Sequence, residues 1–319
     1  MPRVSVVIPV YNGRATVAAA IASVLAQSFR DFELIAVDDG STDDSARELE
    51  RYADHIRVIR QANGGIAKAR NAGLRVAQGE YVGLLDCDDA WEPAMLEETV
   101  RALDADPHAV LAYTNVAVTD STGRPLASAL IGPETAHAPS LDEMLGRLWP
   151  IMPSAVVTRR RALETVGGFC EEFRGLGYED AYCWMRLREL GPFHYIAAPL
   201  VRWRFSPYPQ PLKKFGAHPE AARTFARLLR ERWGRDATPL LRARARASRS
   251  ILAYIGLREL RDGNRDAARA AFRRALWHDP WRVKNYLRLA RTYLPSAVAR
   301  ALGGRTAGAA RGGASVGGT

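Results

Sequence analysis

The sequence predicts an α/β protein, with a mainly parallel sheet flanked by helices and an α-helical module at its C-terminal end. Apolar, β-branched runs alternate with helical segments over the first part of the chain, which implies βαβ units and a sheet covered on both faces. Polar clusters close successive strands: Tyr11-Asn12, Asp38-Asp39 and Asp86-Cys87-Asp88-Asp89. Beyond Pro211 strand signals give way to helical ones.

The elements follow in order. "RVSVVIPVY" (3–11) reads as a strand buried on both faces and closed by the turn Asn12-Gly13, and Thr16 suits the N-cap of a helix over "VAAAIASVLAQS". "FELIAVDDGS" (32–41) is a second strand, "STDDSARELERYA" a helix, "IRVIRQ" a third strand and "GGIAKARNAGLRVA" a helix led by glycine. "EYVGLLD" is the fourth strand. From Val110 shorter strands follow, "AVLAYTNVAVTD" and "PSAVVTRRRAL", around a polar stretch near 121–140. A loop and helix, "GGFCEEFRGLGYEDAYCWMRLREL", precede a late strand, "YIAAPLVRWRF". The C-terminal part reads as helices broken at Asp262-Gly263-Asn264 and Asp279-Pro280, and the residues around Ala267, Phe272 and Ala275 resemble one tetratricopeptide-type hairpin. The expected organisation is an α/β domain over 1–211, a basic helical module over 212–302 and a Gly/Ala-rich disordered tail over 303–319.

Composition narrows the classes. The 319 residues are 47% hydrophobic, enough for a sizeable core, and no apolar run approaches the ~20 residues that span a bilayer. The start "MPRVSVVIPVYN" lacks a secretory apolar region, so the expected location is cytoplasmic. Three cysteines, Cys87, Cys170 and Cys183, show no zinc spacing and read as buried thiols. Of the 45 Lys and Arg, 24 lie beyond Gln210 against 7 of the 35 acids. The basic run Arg242, Arg244, Arg246 and Arg249 suggests peripheral contact with an anionic membrane at the inner face, with a solvated helix face as the alternative.

In open α/β sheets ligands bind beyond the carboxyl ends of the strands, which is where the acidic clusters fall. Aspartates held this close repel one another unless they share a cation; hard oxygen donors suit Mg2+ or Mn2+, ions that keep open positions for phosphates. "DCDD" (86–89) therefore reads as a metal-diphosphate site. No GxxxxGK[ST] follows a strand and "YNGRAT" replaces GxGxxG, which excludes a P-loop and argues against a dinucleotide site.

"VSVVIPVYN", "ELIAVDDGSTDDS", "QANGGIAKARNAGLRVAQGEYVGLLDCDDAW" and "GGFCEEFRGLGYEDAYCWMRL" stand in the order and spacing of the family 2 glycosyltransferases, which the first 210 or so residues resemble. The resemblance implies a GT-A, Rossmann-like fold. It further implies an inverting transfer of sugar from a nucleoside-diphosphate donor, most often UDP-linked, to the hydroxyl of a glycan or lipid-linked acceptor. Residue by residue it implies Pro9 and Tyr11 as walls of the nucleobase pocket, Asp39 as acceptor from the base, and Arg70 as a donor-binding arginine. Asp86 matches the ribose contact, Asp88 the metal ligand, Asp180 the catalytic base, and Glu179 an acceptor-orienting residue. Structural alternatives stand beside these: Asp38 as a cap, Arg70 on a solvated face, Asp89 capping the turn before "WEPAML", and acids favoured at a helix start in any case. Trp184 and Leu187 read as core. Where the family often carries a histidine after the late strand, this chain has Ser206, with Arg202 and Arg204 as candidate diphosphate contacts. The competing functional class is a non-catalytic nucleotide-sugar-binding scaffold that recruits partners through its helical tail.

Overall fold

The protein, a computed structural model, is described over residues 1–120, 125–132, 135–174, 176–205, 218–261, 263–278, 281 and 283–294. Two compact units divide the chain, Met1–Ser206 with Ala217–Leu241, and Pro207–Gly216 with Arg242–Thr319.

The first unit opens with β1 (Val4–Val10), α1 (Val17–Leu25), β2 (Phe32–Asp38), α2 (Ser45–Glu50), β3 (Arg57–Arg60), α3 (Ile66–Val76) and β4 (Tyr81–Leu84). These four strands lie parallel in the order β3-β2-β1-β4, as the βαβ pattern requires. Every residue of β1 is buried. Val4, Val6, Ile8 and Val10 pack on one face with Val17, Ile21 and Val24 of α1, while Val7 joins Ala69 and Ala72 of α3 on the other. Close packing on that second face needs a glycine: a Cβ at Gly73 would lie 2.4 Å from Val7 Cγ1.

Next come β5 (Ala90–Trp91), α4 (Met95–Ala105), β6 (Leu111–Asp120), β7 (Pro125–Ala127), α5 (Leu141–Gly146), β8 (Val156–Arg159), α6 (Arg160–Thr165), α7 (Glu179–Leu190) and β9 (Phe193–Phe205). The full path is β3-β2-β1-β4-β8-β6-β9-β5, with β7 on β6. Strand β8 runs antiparallel to β4 and β6, so the sheet as a whole is mixed: the expected parallel order holds for its first four strands and ends at β8. Helix α1 begins where expected, although the Thr16 hydroxyl donates to the Gly13 carbonyl at 3.2 Å and makes no side-chain cap. Of the thiols, Cys183 is buried while Cys87 and Cys170 are half-buried, a correction to the reading of all three as buried.

Helix α8 (Pro219–Trp233) lies in the segment that the sequence assigns to the C-terminal module, yet its Ala221, Phe225, Leu228 and Leu229 are part of the first unit's core, as is Leu240. The reason is visible in the heptad-like spacing of those residues, which gives one apolar face. Helix α9 spans Thr238–Arg261. In the second unit α10 (Arg265–His278) and α11 (Val283–Arg291) follow, and Ala268, Ala271, Phe272 and Ala275 are buried. A Cβ at Gly256 of α9 would lie 2.5 Å from the Phe272 ring, so the two helices meet closely there. The break expected at Asp262-Gly263-Asn264 is present at Gly263, with φ 88°, and Asn264, between α9 and α10, whereas Asp262, Asp279-Pro280, the residue Ser206 and the tail 303–319 lie outside the described residues.

Candidate functional site at the carboxyl edge of the sheet

Parallel register brings the three polar clusters to one edge. Val10 pairs with Asp38, and Val7 with Leu84, so Tyr11, Asp39 and Asp86 leave the sheet side by side. Pro9 is buried in β1; Tyr11, just past the strand end, is exposed. Asn12 takes a positive φ of 51° and ties the first two strand ends together, its Oδ1 accepting from Thr42 N at 2.8 Å. Asp38 accepts from Ser41 N at 3.0 Å and so braces the turn after β2.

Asp39 is buried and organises the start of α3. Its Oδ1 accepts from Gln61 Nε2 at 2.7 Å and Gly64 N at 2.9 Å, and its Oδ2 from Gly65 N at 2.8 Å. Gly65, the N-cap, has φ +87°, a conformation that glycine adopts without strain. The carboxylate thus holds the two backbone N–H groups that lead into α3.

Arg70, one turn into α3, is 1% exposed, which rules out a solvated face. Its Nη2 donates to Asp86 Oδ1 at 2.7 Å and its Nη1 to Glu179 Oε1 at 3.4 Å. The guanidinium carbon sits 5.2 Å from the centre of the Phe169 ring. Burial alone would lower the Arg70 pKa; the charges of Asp86 and Glu179, with Asp180 adding to them, outweigh it and hold the group above its ordinary value. One buried cation therefore joins the carboxylate after β4 to the carboxylate that opens α7, the latter 109 positions from Arg70 itself.

The approach to α7 is a left-handed turn: Gly177 has φ 101° and Tyr178, fully buried at the N-cap, φ 73°. Tyr178 stacks on Phe225 of α8 with ring centres 4.7 Å apart and planes at 20°. Glu179 is buried and turned toward Arg70; Asp180, next along the first helical turn, is half-buried and accepts from its neighbour Ala181 N at 2.7 Å. Trp184 and Leu187 are buried, as core residues should be.

Asp86, Asp88 and Asp89 each offer a carboxylate oxygen, all within 4.8 Å of one another, a hard donor set that fits a divalent ion. Their environments differ. Asp86 and Asp88 are half-buried, whereas Asp89 is buried, accepting from Ser154 Oγ at 2.6 Å and from Arg204 N at 3.0 Å. Burial, then the charges of Asp88 and Asp86, push the Asp89 carboxyl well above the ordinary range. It caps no helix: α4 begins at Met95 with Ala94 as its N-cap, and Asp89 instead fastens the loop to β9 and to the turn before β8. Arg202 pairs with Glu92 at 3.1 Å, and Arg204 reaches the cluster through its backbone.

Sequence reasoning missed Ser154, whose hydroxyl also accepts from Asp86 N at 3.1 Å, and Phe169 beneath Arg70. Neither carries a motif; their places follow from tertiary packing. The Gly64-Gly65 pair was visible as a helix lead, but its tie to Asp39 was not.

Residues 5–167, just over half of the chain, match the family model for glycosyl transferase family 2, and the chain belongs to that family. The match ends before Glu179-Asp180. Among curated relatives, chondroitin synthase of Escherichia coli is 32% identical over 199 residues, which are 61% of this chain and 28% of that protein. EpsE of Bacillus subtilis is 32% identical over 197 residues, 60% of this chain and 68% of EpsE. The chain thus spans less than a third of chondroitin synthase. A solved structure of S. aureus TarS 1–349 in complex with UDP-GlcNAc superposes with a TM-score of 0.58 at 19% identity, covering 96% of this chain and 92% of that one, which establishes the shared GT-A fold.

Proposed function

We propose that the chain is a metal-dependent, inverting glycosyltransferase. It moves a sugar from a nucleoside-diphosphate donor, of the uridine type, to an acceptor hydroxyl in the assembly of a surface polysaccharide or glycolipid. The observation that carries this reading is the Arg70 bridge between Asp86 and Glu179, which sets a carboxylate of the strand-end cluster and one at the start of α7 on one buried cation. Family membership supports glycosyl transfer, the UDP and UDP-GlcNAc complexes of TarS support the donor class, and a relative named chondroitin synthase supports a polysaccharide product.

In this reading Pro9 and Tyr11 wall the base. Asp39 Oδ2, which accepts one backbone N–H, has acceptor capacity for a second donor from the base. Asp86 contacts the ribose, with its other side held by Arg70; Arg70 is then a positioning residue for the donor. Asp88 would hold the divalent ion, which would supply positive charge against the departing diphosphate. Asp180 takes the proton of the acceptor hydroxyl as that oxygen attacks the anomeric carbon, from the face opposite the leaving group. Glu179, fixed by Arg70, orders the acceptor side and sets the first turn of α7.

The test is product formation. Purified protein is screened by mass spectrometry against UDP-sugars with hydroxyl-bearing glycan and lipid-linked acceptors, with manganese or with excess EDTA. Transfer that EDTA abolishes is the expected result. Turnover unaffected by EDTA removes the metal, and donor binding without any product would leave the scaffold reading in its place.

A further inference from the structure

Helix α11 is amphipathic in an inverted sense. Its buried position is the polar Asn285, and the polar Thr292 just past its end is buried as well, while Val283 is 68% and Leu287 61% exposed. Trp281, just ahead of the helix, is 90% exposed, and Tyr286 and Tyr293 extend the same surface. Positions 283, 286, 287 and 290 share one side at helical spacing, so these residues form a contiguous apolar and aromatic strip. Strips of this kind are rare on surfaces that remain in water.

The surroundings of the strip are cationic. Lys284 is exposed beside it, and the Arg269 guanidinium lies 4.3 Å from the centre of the Tyr293 ring. Arg273 Nη2 donates to the Tyr293 hydroxyl at 2.9 Å. From Ala267 to the end of the chain the sequence holds ten Lys and Arg against one acid, Asp279.

We propose that Trp281 and α11 form an interfacial element that lies in the headgroup region of an anionic bilayer. Aromatic rings and aliphatic side chains enter the headgroup–acyl boundary while neighbouring cations meet lipid phosphates, the combination that distinguishes an interfacial helix from a packed one. Charge selects the occupant. A second copy would set the same ten-to-one excess of cations against itself, whereas an anionic lipid surface neutralises it. The contact assigned by sequence to the run Arg242–Arg249 is thereby placed on α11, where apolar surface accompanies the charge. Among the described residues no helix is long and apolar enough to cross a membrane. The inference rests on neither the nucleotide site nor the transfer reaction.

Flotation of the full chain with vesicles tests it, using phosphatidylcholine alone or with phosphatidylglycerol, at low and high salt. The wild type should float with the anionic vesicles, less so at high salt, and stay behind with the neutral ones. Leu287→Glu should lower the partition about tenfold or more, because it takes an aliphatic group out of the bilayer and adds a like charge to the lipid. Lys284→Glu should lower it about fivefold or more. Thermal unfolding and sedimentation velocity accompany each variant. Equal flotation with neutral vesicles, or partition that Leu287→Glu leaves unchanged, overturns the proposal. So does a wild-type dimer that Leu287→Glu dissolves, which would make a second copy the occupant, or a marked fall in melting temperature, which would make the strip an internal contact.

Discussion

At the scale of single residues, the three carboxylates of "DCDD" do different work because they differ in burial and partners. Asp89 gives one oxygen to Ser154 and the other to the Arg204 backbone, so Asp89→Ala leaves both donors without this acceptor and should cost about 1–3 kcal/mol of stability, read by thermal unfolding. Asp88→Asn should leave the melting temperature near wild type and weaken donor binding in the presence of metal, read by calorimetry. Equal loss of donor affinity from both would reverse the assignment within the cluster. Asp180 is tested by Asp180→Asn, which keeps size and hydrogen bonding but removes basicity. It should lower kcat by about 10²-fold or more with donor affinity unchanged. Wild-type kcat at saturating donor and acceptor, with chemistry rate-limiting, would move the base to Glu179.

At the scale of elements, the order of strands and helices through β4 was legible because β-branched runs and Gly or Asp punctuation are local signals. The strand β8 was readable in "PSAVVTRRRAL", but its antiparallel direction was not, since its partners come from residues far away in the chain. Asp39 shows the same division within one residue: its position at a strand end was readable, its grip on Gly64 and Gly65 was not. Helix α8 is the clearest case. Its sequence is basic and helical, like the segment after it, and only packing reveals that Phe225 presses on Tyr178, directly before Glu179-Asp180. Phe225→Ala should therefore cost about 3–5 kcal/mol of stability. It should also lower kcat more than donor affinity, because the turn that starts α7 loses its support. Stability loss with kcat intact in the remaining folded protein would reduce Phe225 to a packing role.

At the scale of the whole molecule, the same helix decides where the chain can be cut. Sequence composition places the end of the catalytic domain at 211, whereas the first compact unit runs on through Ala217–Leu241. The difference is energetic. Phe225, Leu228, Leu229 and Leu240 are buried, and burying such a side chain is worth about 1.5–3 kcal/mol. Their combined removal is comparable with the 5–15 kcal/mol that holds a typical domain folded. Surface ion pairs that go with the helix, such as Arg232 with Glu189 at 2.6 Å, add little to this balance. A chain ending at Leu241 should therefore unfold cooperatively, near the full-length transition for this unit, and should bind donor; a chain ending at Pro211 should show a much lower transition or none. Circular dichroism melts and calorimetry with a UDP-sugar distinguish the two. If the shorter chain melted and bound donor as the longer one does, α8 would belong with the C-terminal helices and the support of the α7 turn by Phe225 would have to be given up with it.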